Sequence, residues 1–318
     1  MKTTFISTGN WYKGNLHGHS TVSDGRLTPE QVREEYKKKG YNFIVHSEHD
    51  IYTDFQFANE PEFITIPGFE ASIPTPEDDY RIYHLNVFLG TDEMIGQATM
   101  PLFNHLENTP IKEWEGLQTV QEFINEMNSR GYMVMFNHPH WSTIELEDVI
   151  ELENLFGMEV YNHCSQWLEN MGESDILWET LLRRGKKLWG TATDDNHNGF
   201  PVDSAKCDSF GGWIVVKAEE LTRNAIMDAI SKGSFYASTG PSIYDFKVEN
   251  NEVIFKCSPV QRIYLNGDLR QYQIEISETG EDTLTELRKT LRGDERFLRI
   301  ECIDQYGKKA YTNPIYLD

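Results

Sequence analysis

Short apolar runs alternate with helical segments over roughly the first 240 residues of this 318-residue chain. The runs fall at 15–17, 43–45, 63–66, 83–89, 133–136, 158–161, 187–191 and 213–216. The helices between them carry clear punctuation. Thr28-Pro29-Glu30-Gln31 reads as an N-cap, a first-turn proline and a capping-box glutamine, and Gly40 closes that helix. Gly131, Gly157, Gly185 and Gly233 stand where left-handed C-caps are expected. Repeated strand–helix units constrain the chain to a parallel α/β barrel or a doubly wound sheet.

Two departures from this rhythm set the organisation. Residues 90–116 hold Pro101 and scattered polar side chains, and read as an insertion that lids or walls a pocket. After Gly240-Pro241 the period changes to two: 245–249 and 253–257 alternate around the turn signal Asn250-Asn251. Further strands are expected at 262–265, 273–276 and 297–303, while 283–291 is ambiguous between helix and strand. The expected division is therefore 1–241 and 242–318, the latter a small β-sandwich. The length suits one large domain or two unequal ones.

Ten histidines are present, and their placement carries chemistry. His17 and His19 are two apart at a strand end, so both imidazoles face one side and can reach one metal ion. Asp24 follows in Ser23-Asp24-Gly25, and His49 lies just past the run at 43–45. Glu70 follows the run at 63–66, His84 enters the next, His138 ends the run at 133–136, and Asp195 and His197 follow the run at 187–191. Most of these positions lie at or beyond carboxyl ends of strands, where a parallel α/β barrel gathers its active site. Carboxylates mixed with imidazoles suit Zn, Mn or Fe, and two to three such ions are expected. Asp50 and Asp194 adjoin proposed ligands and are expected to orient imidazoles. Glu48 is at most another orienter. His46, His105, His140 and His163 have no pattern of their own and read as surface or supporting residues.

Lys and Arg total 29 against 51 Asp and Glu, a formal charge of -22. So acidic a surface repels phosphate backbones, which argues against nucleic-acid partners and for a small-molecule substrate. No stretch of about 20 apolar residues exists to span a membrane. Met1 to Phe5 lack the apolar core of a secretory signal, so a cytoplasmic location is expected. Cys164, Cys207, Cys257 and Cys302 show no metal-like spacing; Cys257 and Cys302 fall on the apolar phase of strands and are expected as reduced neighbours in one core.

Taken in order, His17-Gly18-His19, Ser23-Asp24-Gly25, Ser47-Glu48-His49, Pro67-Gly68-Phe69-Glu70, His84, His138-Pro139 and Asp195-Asn196-His197 resemble the PHP (polymerase and histidinol phosphatase) metallohydrolases over about residues 11–235. Glu48 stands where the family more often has Asp. The segments 233–241 and 310–315 look like the branch containing carbaryl-type carbamate hydrolases, which carry a C-terminal β-domain. The resemblance implies a distorted seven-stranded β/α barrel with up to three metals. One would be held by His17, His19, Glu70 and Asp195; a second by Glu70, His84 and His138; a third by Asp24, His49 and His197. Glu70 and Asp195 would be the catalytic carboxylates. The implied activity is phosphoester hydrolysis through a metal-bridging hydroxide, with carbamate or carboxyl-ester hydrolysis, or a silent binding module, as alternatives. Arg81, three residues before His84, is the nearest cation to the motifs and the expected phosphate-binding residue.

Overall fold

The computed structural model describes residues 1–76, 81–109, 113–268, 270 and 273–317. It is a mixed α/β structure rich in strands. One five-stranded sheet runs in the order Trp189–Thr193, Gly157–Asn162, Tyr132–Phe136, Ile82–Leu89 and Gly68–Pro74. Its first three strands are parallel, and Ile82–Leu89 is antiparallel to both neighbours. Residues 75–81 are too few for a crossover, which takes about a dozen residues, so these two strands can only return antiparallel.

A second parallel group, Asn10–Asn15, Phe43–Val45 and Ile64–Ile66, belongs to a larger sheet. Pro67 separates Ile64–Ile66 from Gly68–Pro74, so Glu70 sits within a strand of its own and not in the loop after the previous one. Among the described residues the two sheets are linked at their carboxyl ends by single parallel bridges, Gly18 with Asn196 and His49 with Glu70.

The helix Pro29–Lys38 has its full capping box: the Gln31 amide donates to Thr28 Oγ1, and the Thr28 amide donates to the Gln31 side chain. Gly131, Gly185 and Gly233 have the expected positive φ. Gly157 does not; it opens a strand, and Asn154 takes the left-handed turn. Helices such as Leu117–Ser129 and Asp175–Arg183 cover the sheets with Val120, Phe123, Trp178 and Leu181, closing one large core.

The insertion at 90–116, of which 110–112 lie outside the described residues, contains the short helix Asp92–Gly96 and the strand Glu107–Asn108, paired to Ile51–Tyr52. Phe103 anchors it in the core against Tyr52, Phe69 and Tyr132.

Beyond residue 241, Ile243–Glu249 and Glu252–Val260 form a hairpin turned by Asn250 and Asn251, both at positive φ. The ambiguous segment is the strand Leu284–Thr290, which extends this sheet. Arg262–Gly267, Phe297–Ile303 and Lys309–Thr312 instead continue the large sheet, because Lys309–Thr312 pairs with Phe235–Ser238. The ladder therefore runs unbroken across the expected boundary. A second core lies between the hairpin's sheet and the antiparallel part of the large sheet, and contains both Cys257 and Cys302.

Candidate metal centre

His17-Gly18-His19 continues directly from Asn10–Asn15, and Gly18 bridges to Asn196. The Asp195 amide donates to the His17 carbonyl and the His19 amide to the Asn196 carbonyl, both at 2.9 Å. A Cβ on Gly18 would stand 2.3 Å from Asn196 Oδ1, so the close approach of these segments needs glycine. Asp195 itself sits at φ 54, a strained value for a residue with a side chain, of the kind found where structure is held for a purpose.

The centre is organised around Glu70, which is fully buried. Its Oε1 lies 3.3 Å from His17 Nε2, 3.1 Å from His84 Nδ1 and 3.2 Å from His138 Nε2. Its Oε2 lies 3.1 Å from His49 Nδ1 and 3.4 Å from His19 Nε2. Five imidazoles thus converge on one carboxylate. Asp195 Oδ1 adds a second acceptor, 3.1 Å from His17 Nε2 and 3.0 Å from His19 Nε2. At the mouth, Asp24 Oδ2 lies 3.6 Å from His49 Nε2 and 3.5 Å from His197 Nε2. All nine residues expected as ligands are therefore brought together, with donor atoms grouped as His17, His19, Glu70 and Asp195; as Glu70, His84 and His138; and as Asp24, His49 and His197 joined by His19.

The residues around this set aim it. Glu159 is the functional residue that the motifs did not reveal: its Oε1 sits 2.7 Å from His17 Nδ1 and accepts from Thr193 Oγ1, and its Oε2 accepts the His138 amide. A carboxylate in the middle of the otherwise apolar strand Gly157–Asn162 was the available signal. Glu159 is an acceptor and takes the His17 Nδ1 proton, an arrangement that would leave Nε2 to a bound cation. The Asp195 carbonyl, an acceptor 2.9 Å from His197 Nδ1, does the same for that ring, and the Ser142 hydroxyl stands 3.1 Å from His138 Nδ1. Glu48, fully buried, accepts from the amide and hydroxyl of both Ser20 and Ser23, which fixes the loop that presents Asp24. Sequence placed Glu48 as an orienter; what it orients is a loop.

Burial alone would favour neutral groups here, but opposite charges prevail. Asp195, Glu70 and Glu159 hold His17 well above the usual imidazole range, and Glu70 raises His49 to about 9. In return His17, His84 and His138 hold Glu70 well below the usual carboxylate range. Mutual shifts of this kind mark sites built for charge.

Three expected residues lie elsewhere in role. Asp50 accepts the Ser72 amide at 2.9 Å. Asp194 accepts the amides of Phe210, Gly211 and Gly212 and the Tyr36 hydroxyl, tying down the loop after His197. The hydrogen bonds of both therefore go to backbone and phenol. Arg81 pairs with Asp148 at 2.7 Å and lines a separate cavity with Tyr83 and Trp114. Three residues from His84 is an odd offset, which puts Arg81 on the opposite face of the strand direction. The insertion, through Trp114, walls that second cavity. His46 and His163 are buried, His105 caps the Asp54 amide, and His140 is exposed.

The centre opens into a cavity of about 260 Å³, walled beyond the ligand set by Trp141, Cys164, Ser165 and Glu169. Among the described residues no Lys or Arg lines it.

No family model and no curated protein matches this chain. Solved structures that resemble it include a two-domain protein containing a predicted PHP-like metal-dependent phosphoesterase from Bacteroides vulgatus ATCC 8482, 14% identical, covering 99% of this chain and 89% of that one, with a TM-score of 0.49. A candidate metal-dependent phosphoesterase from Bifidobacterium adolescentis ATCC 15703 is 16% identical over 63% of this chain and 93% of its own, with a TM-score of 0.43. An amidohydrolase from Chromobacterium violaceum, with bound sulfate and no metal, is 14% identical over 58% of this chain and 87% of its own, with a TM-score of 0.40. At these scores the reaction has to be argued from the side chains themselves.

Proposed function

We propose that this protein is a metal-dependent phosphoesterase acting on a small molecule, with two to three divalent ions held by His17, His19, Asp24, His49, Glu70, His84, His138, Asp195 and His197. The observation that carries the reading is Glu70, whose two oxygens each face a different group of imidazoles. The donor set fits cations. His17 Nε2 and His19 Nε2 lie 3.3 Å apart, and Glu70 Oε2 and His19 Nδ1 are buried without a hydrogen-bond partner. Unpaired buried acceptors are costly, and a divalent ion shared among them removes the cost. Nitrogen and oxygen donors without a committed thiolate suit Zn, Mn or Fe.

Bound ions would supply acidified water and neutralise charge on the substrate oxygens. The chain's own residues do the rest. Glu70 and Asp195 are the carboxylates nearest the reacting centre. Glu159 and the Asp195 carbonyl fix the His17 and His197 tautomers, and Glu48 holds the Asp24 loop. In this reading the two sheets joined by the Gly18–Asn196 and His49–Glu70 bridges are a distorted barrel, and the strands after 241 are a second domain packed on it.

Elemental analysis of protein purified without chelator should give two to three equivalents of Mn, Fe or Zn per chain. Glu70→Gln should lose more than about 100-fold in metal affinity, the upper end of what removing a supporting residue costs. Less than one equivalent after reconstitution, or full activity in Glu70→Gln, would remove the centre. One observation favours a second reading, hydrolysis of a carbamate or carboxyl ester: among the described residues the cavity has no lining Lys or Arg to grip phosphate. Turnover of a naphthyl carbamate far above p-nitrophenyl phosphate, without vanadate inhibition, would select it.

A further inference from the structure

The cavity wall facing the ligand set is built from two separate elements. Trp141 follows His138-Pro139, and its ring centroid lies 5.0 Å from that of His138 and 5.9 Å from that of His84. Glu169 is the last residue of the helix His163–Glu169, and its Oε2 accepts the Trp141 indole N–H. That hydrogen bond pins a carboxylate and an aromatic ring side by side at the mouth. Both are exposed, as a surface that meets substrate must be.

The charge of the cavity is divided. On its floor, Glu70 Oε2 is buried and lies 3.1 Å from His49 Nδ1. The carboxylates Asp24, Glu70 and Asp195 offset only part of the charge that divalent ions bring, which leaves a positive surplus for a phosphoryl group. On the opposite wall the charge is negative, and no lining Lys or Arg offsets it among the described residues. An aromatic face beside a carboxylate attracts organic cations and repels anions. The volume, about 260 Å³, admits only a small molecule.

Resting on the phosphoesterase reading above, we propose that Trp141 and Glu169 determine specificity for a small phosphoester whose leaving group carries an ammonium cation. The phosphoryl group meets the ligand set, and the ammonium lies against the indole and the carboxylate. Anionic leaving groups are rejected by the same carboxylate. This is selection by repulsion as much as by attraction.

The test uses metal-loaded full-length protein with p-nitrophenyl phosphate as reference and three substrates of differing leaving-group charge: phosphocholine, glycerol 2-phosphate and 3-phosphoglycerate. Released phosphate is measured. We expect kcat/KM to fall in that order, by roughly tenfold or more from first to last, the scale of one favourable cation contact. Glu169→Gln should raise KM for phosphocholine about three- to tenfold while keeping kcat, and should lower KM for 3-phosphoglycerate. Glu169→Lys, an exposed change that the fold tolerates, should reverse the order. A flat or inverted ranking in wild-type protein that cleaves p-nitrophenyl phosphate would overturn this proposal and leave the parent reading standing. A Glu169→Gln effect of the same sign on all three substrates would overturn it too. Metal-replete protein that cleaves none of the four would sink both.

Discussion

Along Phe246, Val248, Val253, Phe255 and Cys257 the C-terminal strands bury alternate side chains against Ile263, Leu265, Ile300 and Cys302. Nearly every buried contact there is apolar, and the pattern can be read from sequence two residues at a time. Around Glu70 the opposite holds. His17, His19, Ser20, Glu48, Glu159, Asn162, Thr193 and Asp194 are all buried, and each has a polar partner far away in the chain. The first region is stabilised by area removed from water, which accumulates pair by pair. The second is stabilised by completeness, since a single missing partner strands the others. A fold can thus use one material to hold itself together and another to hold its chemistry.

The largest effect that sharpens this contrast should come from Phe255→Ala. Phe255 is fully buried, and truncation should cost about 3–5 kcal/mol in chemical denaturation. Metal content per folded molecule should remain that of the wild type. A loss of metal from still-folded protein would show that the two regions are not independent.

Asn313→Ala tests the seam from the other side. Asn313 Oδ1 accepts the Gly190 amide at 2.9 Å, and its Nδ2 donates to the carbonyls of Gly233 and Phe235. It therefore stitches the end of the chain to the strand Trp189–Thr193, which leads to Asp195. Stranding the buried Gly190 N–H should cost about 1–3 kcal/mol. Because that strand positions Asp195, metal affinity should fall with stability. Unchanged affinity would confine the seam to a structural role.

The smallest effect concerns pH. Lys13 Nζ lies 4.0 Å from the centroid of the Tyr41 ring and 3.9 Å from that of Trp213. Burial lowers its pKa from 10.5 to about 8, with Asp194 opposing. Between those values the unfolded chain binds the proton that the folded chain has released. The resulting destabilisation is complete below pH 8 and is relieved as pH climbs toward 10.5. Partial exposure limits it to about 1–2 kcal/mol. Lys13→Met should flatten this rise when denaturation midpoints are compared across that range; an unchanged profile would assign the rise to other groups.

What the sequence made legible follows the same division. The nine residues that converge around Glu70 could be picked out because their motifs keep their order and most fall at or just beyond a strand end. The hairpin at Asn250-Asn251 could be read because positive φ at both residues is a local demand. Glu159 was hidden because its role is set by His17, far off in sequence, and not by its neighbours. Arg81 misled because nearness along the chain is not nearness on a face: it pairs with Asp148. Asp194 misled in the same way, its carboxylate turning to the amides of 210–212. Gly157 misled because a glycine after a helical pattern can also open a strand, here one packed so closely that a Cβ would stand 2.7 Å from the Trp189 carbonyl oxygen.

The ladder that crosses residue 241 has a consequence for synthesis. Phe235–Ser238 pairs with Trp213–Ala218 on one side and with Lys309–Thr312 on the other. Its first partner has been translated by the time it emerges; its second is still about 70 residues away. At roughly 5–20 residues per second, the ribosome leaves that edge open for roughly 4–14 s. An unpaired strand edge as apolar as Phe235, Tyr236 and Ala237 is a template for the wrong neighbour. The nascent chain is therefore most exposed to misassembly after the residues that converge around Glu70 have all been made and before its last strands arrive.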